Sequence, residues 1–203
     1  MTAKLVAAVS LVAVLGCSLP AHAAGSKEAG QAKSATCMAC HGADGNSPNP
    51  EWPSLAGQHP SYIVQQLAAF KAGERQNDLM TPMAMILSDE DMADLATWFS
   101  SQTLRGGETE PSKLEAGQRM FRGGNVATGI PACAGCHGPT GRGNPLANYP
   151  SIHGQHATYV ANQLRAYRAS TRKTDPNQMM RNVTARMTDE EIDAVASYVQ
   201  GLR

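Results

Sequence analysis

The chain has 203 residues, 42% of them hydrophobic and 17% charged, with 17 basic and 17 acidic side chains. That is room for one or two globular domains; the apolar content excludes a disordered chain, and the zero net charge argues against a dedicated nucleic-acid binder. Aromatic residues are only 5% against ten methionines, so another large apolar body, a cofactor, is expected to help fill the core.

The chain opens on a segment that reads as a secretory signal. Lys4 gives a short positive region, residues 5–16 form a twelve-residue apolar run, and Pro20 precedes a small-x-small site at Ala21-His22-Ala23. Residues 1–23 are therefore expected to be removed before Ala24. A rival reading takes Val14-Leu15-Gly16 as the approach to an acylated Cys17. No other run reaches the ~18 apolar residues of a membrane helix. The mature chain is expected to work outside the cytoplasm, soluble or peripherally bound to a membrane.

The rest reads as helices joined by long loops, twice over. Residues 26–40 and 112–123 are predicted as leading helices, the second opened by a capping box of Ser112 with Glu115. Residues 60–72 and 156–169 are predicted as middle helices. Ser88 with Asp91, and Thr188 with Glu191, cap two final helices. Behind them Met92, Leu95, Ala96 and Phe99, and then Ile192, Val195, Ala196 and Val199, recur at helical spacing. Alternating apolar runs are absent, so the expected fold class is all-α. Between the helices, residues 41–59 and 137–156 are rich in Gly and Pro, and loops this long usually carry function.

Cys37-Met38-Ala39-Cys40-His41 and Cys133-Ala134-Gly135-Cys136-His137 give C-x-x-C-H twice, the attachment pattern of c-type haem. Two thiols can add to the haem vinyl groups, and the adjacent His can ligate iron. Gly42 and Gly138 follow, where the chain must turn away. A zinc site built from pairs 96 residues apart would leave both His unexplained, and a thiol-disulfide motif would want a βαβ pattern.

The motifs sit in a duplication. Glu28-Ala29-Gly30-Gln31 returns as Glu115-Ala116-Gly117-Gln118, Trp52-Pro53-Ser54 as Tyr149-Pro150-Ser151, and Gly57-Gln58-His59 as Gly154-Gln155-His156. Gln66-Leu67 returns as Gln163-Leu164, and Ser88-Asp89-Glu90 as Thr188-Asp189-Glu190. The spacing drifts from 87 to 100, as small loop insertions would make it. Two domains are expected, 24–101 and 112–203, joined by a linker at 102–111.

A haem iron with one His ligand has an open face, and what fills it separates electron transfer from catalysis. At the spacing of 100, Met80 falls on Met180, whereas Met83, Met85, Met179 and Met187 meet other residue types. The matched pair is the expected sixth ligand. His59 and His156 are also matched and offer bis-His iron as the alternative, or else lie in loops and cap the helices that follow. His153 has no counterpart and reads as surface.

Taken together, the tandem C-x-x-C-H halves, the Gly-Gln-His loops and the methionine placement resemble the dihaem cytochrome c4 family, two tandem class I cytochrome c domains. The resemblance covers essentially the whole mature chain. It implies two covalent haem c groups, iron ligation by His41 and Met80 and by His137 and Met180, and electron transfer in the periplasm. It also implies that the carbonyls of Pro53 and Pro150 hold the proximal imidazoles. The resemblance does not name what the chain reduces; a soft thioether ligand raises the potential and suits a high-potential acceptor, so the expected partners are a quinol:cytochrome c oxidoreductase upstream and a haem-copper terminal oxidase downstream. The alternatives are a haem subunit docked to a dehydrogenase and a dihaem peroxidase, the latter requiring an open iron face and distal acid-base groups. Charge is unequally divided: residues 24–105 carry five basic and nine acidic side chains, residues 106–203 eleven and eight.

Overall fold

The computed structural model describes residues 25–203; the expected signal segment and Cys17 lie outside the described residues. The described chain is helical, in two successive sets of five. The first set is α1 (Lys27–Lys33), α2 (Met38–His41), α3 (Pro60–Lys71), α4 (Met80–Met85) and α5 (Asp89–Ser100). The second is α6 (Leu114–Gly123), α7 (Ala134–His137), α8 (Ala157–Arg168), α9 (Met179–Thr184) and α10 (Asp189–Gly201). Among the described residues the only β-type pairings are two isolated antiparallel bridges, Asn125 with Ile130 and Asn144 with Tyr149.

The final helices start where expected. Ser88 accepts from Asp91 N while Asp91 accepts from Ser88 N, and Thr188 and Glu191 do the same, so each box satisfies otherwise orphaned N–H groups. The leading helices differ from expectation. The first stops at Lys33 and passes through a 3-10 turn, Ser34–Thr36, before α2. Buried Ser34 donates its hydroxyl to Gln31 O, a local bond that competes with the helical ladder. In the second half the expected Ser112–Glu115 box does not form. A 3-10 turn, Pro111–Lys113, precedes α6; Ser112 donates to Glu110, and Glu115 pairs with Arg119 instead.

In each half the leading helix crosses the final one at a glycine. A Cβ on Gly30 would lie 2.0 Å from Asp94 O, and one on Gly117 would lie 2.3 Å from Ala194 O. The two backbones touch there, and only glycine permits it. Behind the crossings lie two apolar clusters: Ile63, Leu95, Ala96 and Phe99 in the first half, and a larger one around Phe121, Ile192, Val195 and Val199 in the second.

The halves meet through matched residues. Gln58 donates to Ser151 O (2.8 Å) and accepts from Ser151 N (3.0 Å). Gln155 donates to Ser54 O (2.9 Å) and accepts from Ser54 N (2.9 Å). Gln58 and Gln155, like Ser54 and Ser151, stand 97 residues apart, so the contact has pseudo-twofold symmetry. Each amide side chain completes a backbone group that no strand would satisfy.

Candidate functional site

Each C-x-x-C-H forms one helical turn with the first cysteine at its N-cap and the histidine at its end, so both thiols and the ring lie along one short stretch of backbone. The chain leaves α2 through Gly42 at φ +79°, where a Cβ would meet Asn46 O at 2.2 Å. The four cysteines in these turns are free of disulfides. Burial pushes the Cys37 thiol up and the Cys133 thiol up to about 11. Among the described residues, no three His, Cys, Asp or Glu side chains are grouped to share a metal ion, which disfavours the zinc alternative.

His41 is 6% exposed, and its Nδ1 lies 2.8 Å from Pro53 O; Nδ1 of His137 lies 2.9 Å from Pro150 O. A carbonyl can only accept, so the proton sits on Nδ1 and Nε2 is the bare nitrogen, the form that can ligate a metal. Burial pushes both imidazole pKa values down, opposed by the proline carbonyls.

The matched methionines open the short helices beside the middle ones. Met80 is the first residue of α4, its N–H bonded to Asn77 Oδ1 (2.8 Å), and α4 packs on α3. Met180 is the second residue of α9, which packs on α8. The turn into α9 is strained, with Asn177 and Gln178 both at positive φ. Buried Asp175 holds it by accepting from Arg181 N (3.0 Å) and Nε (2.8 Å). Both methionines are half-buried. The unmatched ones have other places: Met187 is in the core, Met83 and Met85 are exposed, and Met179 Sδ lies 3.9 Å from Tyr149 OH.

The remaining histidines are placed as follows. His59 and His156 occupy the N-cap positions of α3 and α8, but neither side chain caps its helix. His156 Nε2 instead bonds Ser47 O in the first half (2.9 Å), while His59 Nε2 is buried without a partner. His153 is not plain surface. It is half-buried, its Nδ1 is 2.6 Å from Ser151 Oγ, and burial pushes its pKa down, because its backbone N–H is tied under the loop to Gly141 O.

The arrangement has close counterparts. The cytochrome c family model matches residues 27–103 and again 114–203. Cytochrome c4 of Pseudomonas aeruginosa is 48% identical over 96% of this chain and 97% of its own. The crystal structure of reduced recombinant cytochrome c4 from Pseudomonas stutzeri superposes with a TM-score of 0.86 at 46% identity, covering 89% of this chain and all of that one. The chain belongs to the cytochrome c4 family. The thiosulfate dehydrogenase electron acceptor of Stutzerimonas stutzeri is also similar, 38% identical over 80% of this chain and 76% of its own.

As a cytochrome c4, the protein is an electron carrier rather than an enzyme, with two tandem cytochrome c domains that bind haem c covalently. The residues present fit that group: in each half one unpaired thiol stands one turn before, and a second directly before, a neutral imidazole whose Nδ1 is already engaged. Sequence reasoning missed Arg75 and Arg172, which meet between the halves with Tyr62, Gln66, Tyr159 and Gln163. The signal was available, since all three residue pairs repeat at the spacing of 97.

Proposed function

We propose that this cytochrome c4 is exported to the periplasm, loses residues 1–23, and carries single electrons from a quinol:cytochrome c oxidoreductase to a haem-copper terminal oxidase. Its working units are domains 24–101 and 112–203, with 102–111 as the link. Bound haem c supplies the one-electron couple. Cys37 and Cys40, and Cys133 and Cys136, hold it through thioethers; His41 and His137 are the proximal ligands, and Met80 and Met180 the distal ones. Pro53 and Pro150 orient the imidazoles and raise their basicity.

The observation that carries this reading is the repeated buried imidazole with Nδ1 on a proline carbonyl, at 2.8 and 2.9 Å. Both irons would thereby be offered the same ligand in the same tautomer. A soft thioether opposite raises the potential, which suits delivery to a high-potential acceptor. Among the described residues no helix is long and apolar enough to cross a membrane.

A second reading has its own support in the similar thiosulfate dehydrogenase electron acceptor: the donor would be a periplasmic dehydrogenase. Stopped-flow mixing separates the two. Pre-reduced protein should be oxidised rapidly by a terminal oxidase, and oxidised protein reduced by a quinol:cytochrome c oxidoreductase. Rapid reduction only by the dehydrogenase would favour the second reading. Mass measurement should show the polypeptide from Ala24 plus two haems, and the reduced protein should not bind carbon monoxide. Rapid stoichiometric binding would restore the peroxidase alternative.

A further inference from the structure

The short helix α4 presents its apolar side outward. Leu79 and Ile86 flank it with right-handed helical dihedral angles, so the winding continues over residues 79–86. Leu79, Pro82, Met83 and Ile86 then fall on one side, at i, i+3, i+4 and i+7. That spacing normally faces a core. Here all four side chains are exposed, Leu79 at 59%, Met83 at 37% and Ile86 at 76%, while Ala84 on the opposite side is fully buried. Single exposed apolar residues are ordinary, but a whole helix face of them marks a surface that another molecule covers.

The second domain treats the same place differently. At the spacing of 100 the counterparts are Met179, Asn182, Val183 and Arg186. Val183 packs on the core cluster, Met179 Sδ lies beside Tyr149 OH, and Arg186 donates from Nη1 to Thr128 O (3.0 Å). Thr128 belongs to the loop between α6 and α7, which the bridge of Asn125 with Ile130 closes. That loop runs over residues 124–133, whereas residues 34–37 alone separate α1 from α2. The first domain therefore has no loop to lay over Ile86. Folding does not call for an apolar side chain there, since the duplicate domain has arginine.

Charge indicates what covers this face. Residues 76–90 contain Asp78, Asp89 and Glu90 and no lysine or arginine. Among the described residues none of these three carboxylates is in an ion pair. Lys71, bonded to Leu87 O, sets one cation against the three acids. In the second domain Asp189 is paired with Arg168. An acidic rim repels an anionic lipid surface and attracts an apolar surface framed by cations. The face starts at the residue before Met80, on the same short helix. We propose that the outer face of α4 is the docking surface for a one-electron redox protein whose contact surface is apolar and framed by lysine or arginine, and that the first domain's haem exchanges electrons there. One electron crosses, from the reduced centre to the oxidised one, and no bond forms or breaks. The proposal deepens the electron-carrier reading above and rests on it.

The test mixes the oxidised holoprotein with a pre-reduced, lysine-rich single-haem cytochrome in a stopped-flow spectrometer. The second-order rate constant should fall as salt is added. Ile86→Ser should slow the reaction about tenfold, as one large aliphatic side chain is no longer buried on docking. Ile86→Lys should slow it further and flatten the salt dependence. Val126→Ser removes an exposed aliphatic side chain from the second domain and should leave the rate unchanged. Ascorbate, too small to need the surface, should reduce all of these proteins equally fast. Equal slowing in Val126→Ser, equal slowing with ascorbate, or a rate indifferent to salt would overturn the proposal. So would a dimer in sedimentation that Ile86→Ser dissolves, which would give the face to a second copy of this chain. Binding to phosphatidylglycerol vesicles that Ile86→Ser abolishes would give it to a membrane instead. If Ile86→Ser disturbs the near-red haem absorption, Glu90→Lys decides by the same rate, which should drop severalfold. Failure of the carrier reading would look different: the unaltered protein would hold no covalent haem, or ascorbate would not reduce it.

Discussion

At the scale of single residues, the ten methionines do different jobs, and their surroundings say which. Replacing Met80 or Met180 by Ala should abolish one haem's share of the near-red sulfur-to-ferric-iron absorption and lower that haem's potential. Replacing Met83, Met85 or Met187 should leave the absorption intact. If Met83→Ala removes it and Met80→Ala does not, the ligand assignment fails. Stability should sort them differently. Met187 is 4% exposed in the second-domain core, so Met187→Ala should cost about 2–5 kcal/mol in chemical denaturation. Met85 is 63% exposed, and Met85→Ala should change stability by less than ~0.5 kcal/mol.

Between elements, the crossings of α1 with α5 and of α6 with α10 bring backbone against backbone. Gly30→Ala and Gly117→Ala must push backbone from backbone, because the obstructing atoms are carbonyls and not movable side-chain tips. Each should cost about 1–3 kcal/mol, read from denaturation midpoints. The first crossing is also ionic: Lys33 bridges Asp91 (2.7 Å) and Asp94, and Asp94 further accepts from Ser26 N. Hydrogen bonding to Lys33 first, then to the backbone or side chain of the caps, holds both carboxyls well below the usual range. A depressed folded-state pKa gives stability that is present above the ordinary aspartate value of about 4 and lost as pH falls below it. The second domain has Met120 and Ala194 in place of Lys33 and Asp94, so Glu191, the counterpart of Asp91, has no lysine to pair with there. Amide exchange between pH 5 and pH 2 should therefore show α1 loosening before α6. Simultaneous release of both helices would contradict the ionic account.

Across the whole molecule, an acidic first domain faces a basic second one: five basic and nine acidic side chains against eleven and eight. Reduction adds an electron, which positive surroundings favour. At ~15 Å in a water-like dielectric each charge contributes roughly 0.3 kcal/mol, so the imbalance amounts to about 2 kcal/mol before screening. Salt cuts it severalfold. At 59 mV per ~1.4 kcal/mol, a split of a few tens of mV is expected, with the haem on Cys133 and Cys136 the higher. Redox titration at low and high salt checks this. A higher potential on the Cys37 and Cys40 side, or a split indifferent to salt, would show that surface charge does not set the order.

Much of this was legible in the chain alone because it is local or repeated. A C-x-x-C-H spans one helical turn, a capping box spans four residues, and a duplicated methionine stands out against unmatched ones. These features need no knowledge of which distant residues meet. The broken leading helices, the absent Ser112–Glu115 box and the buried His153 were not legible, because a bond to Gln31, Glu110 or Ser151 wins only in the folded geometry. Repeated Gly30 and Gly117 were visible as a pattern, but their reason is a backbone contact more than 60 residues away. The interface lay furthest from view. Gln58 with Ser151, Gln155 with Ser54, and the arginine pair join residues roughly 90 to 110 apart, polar groups that read individually as solvated surface. Only the packing of one domain on the other removes their water and makes each the other's hydrogen-bond partner.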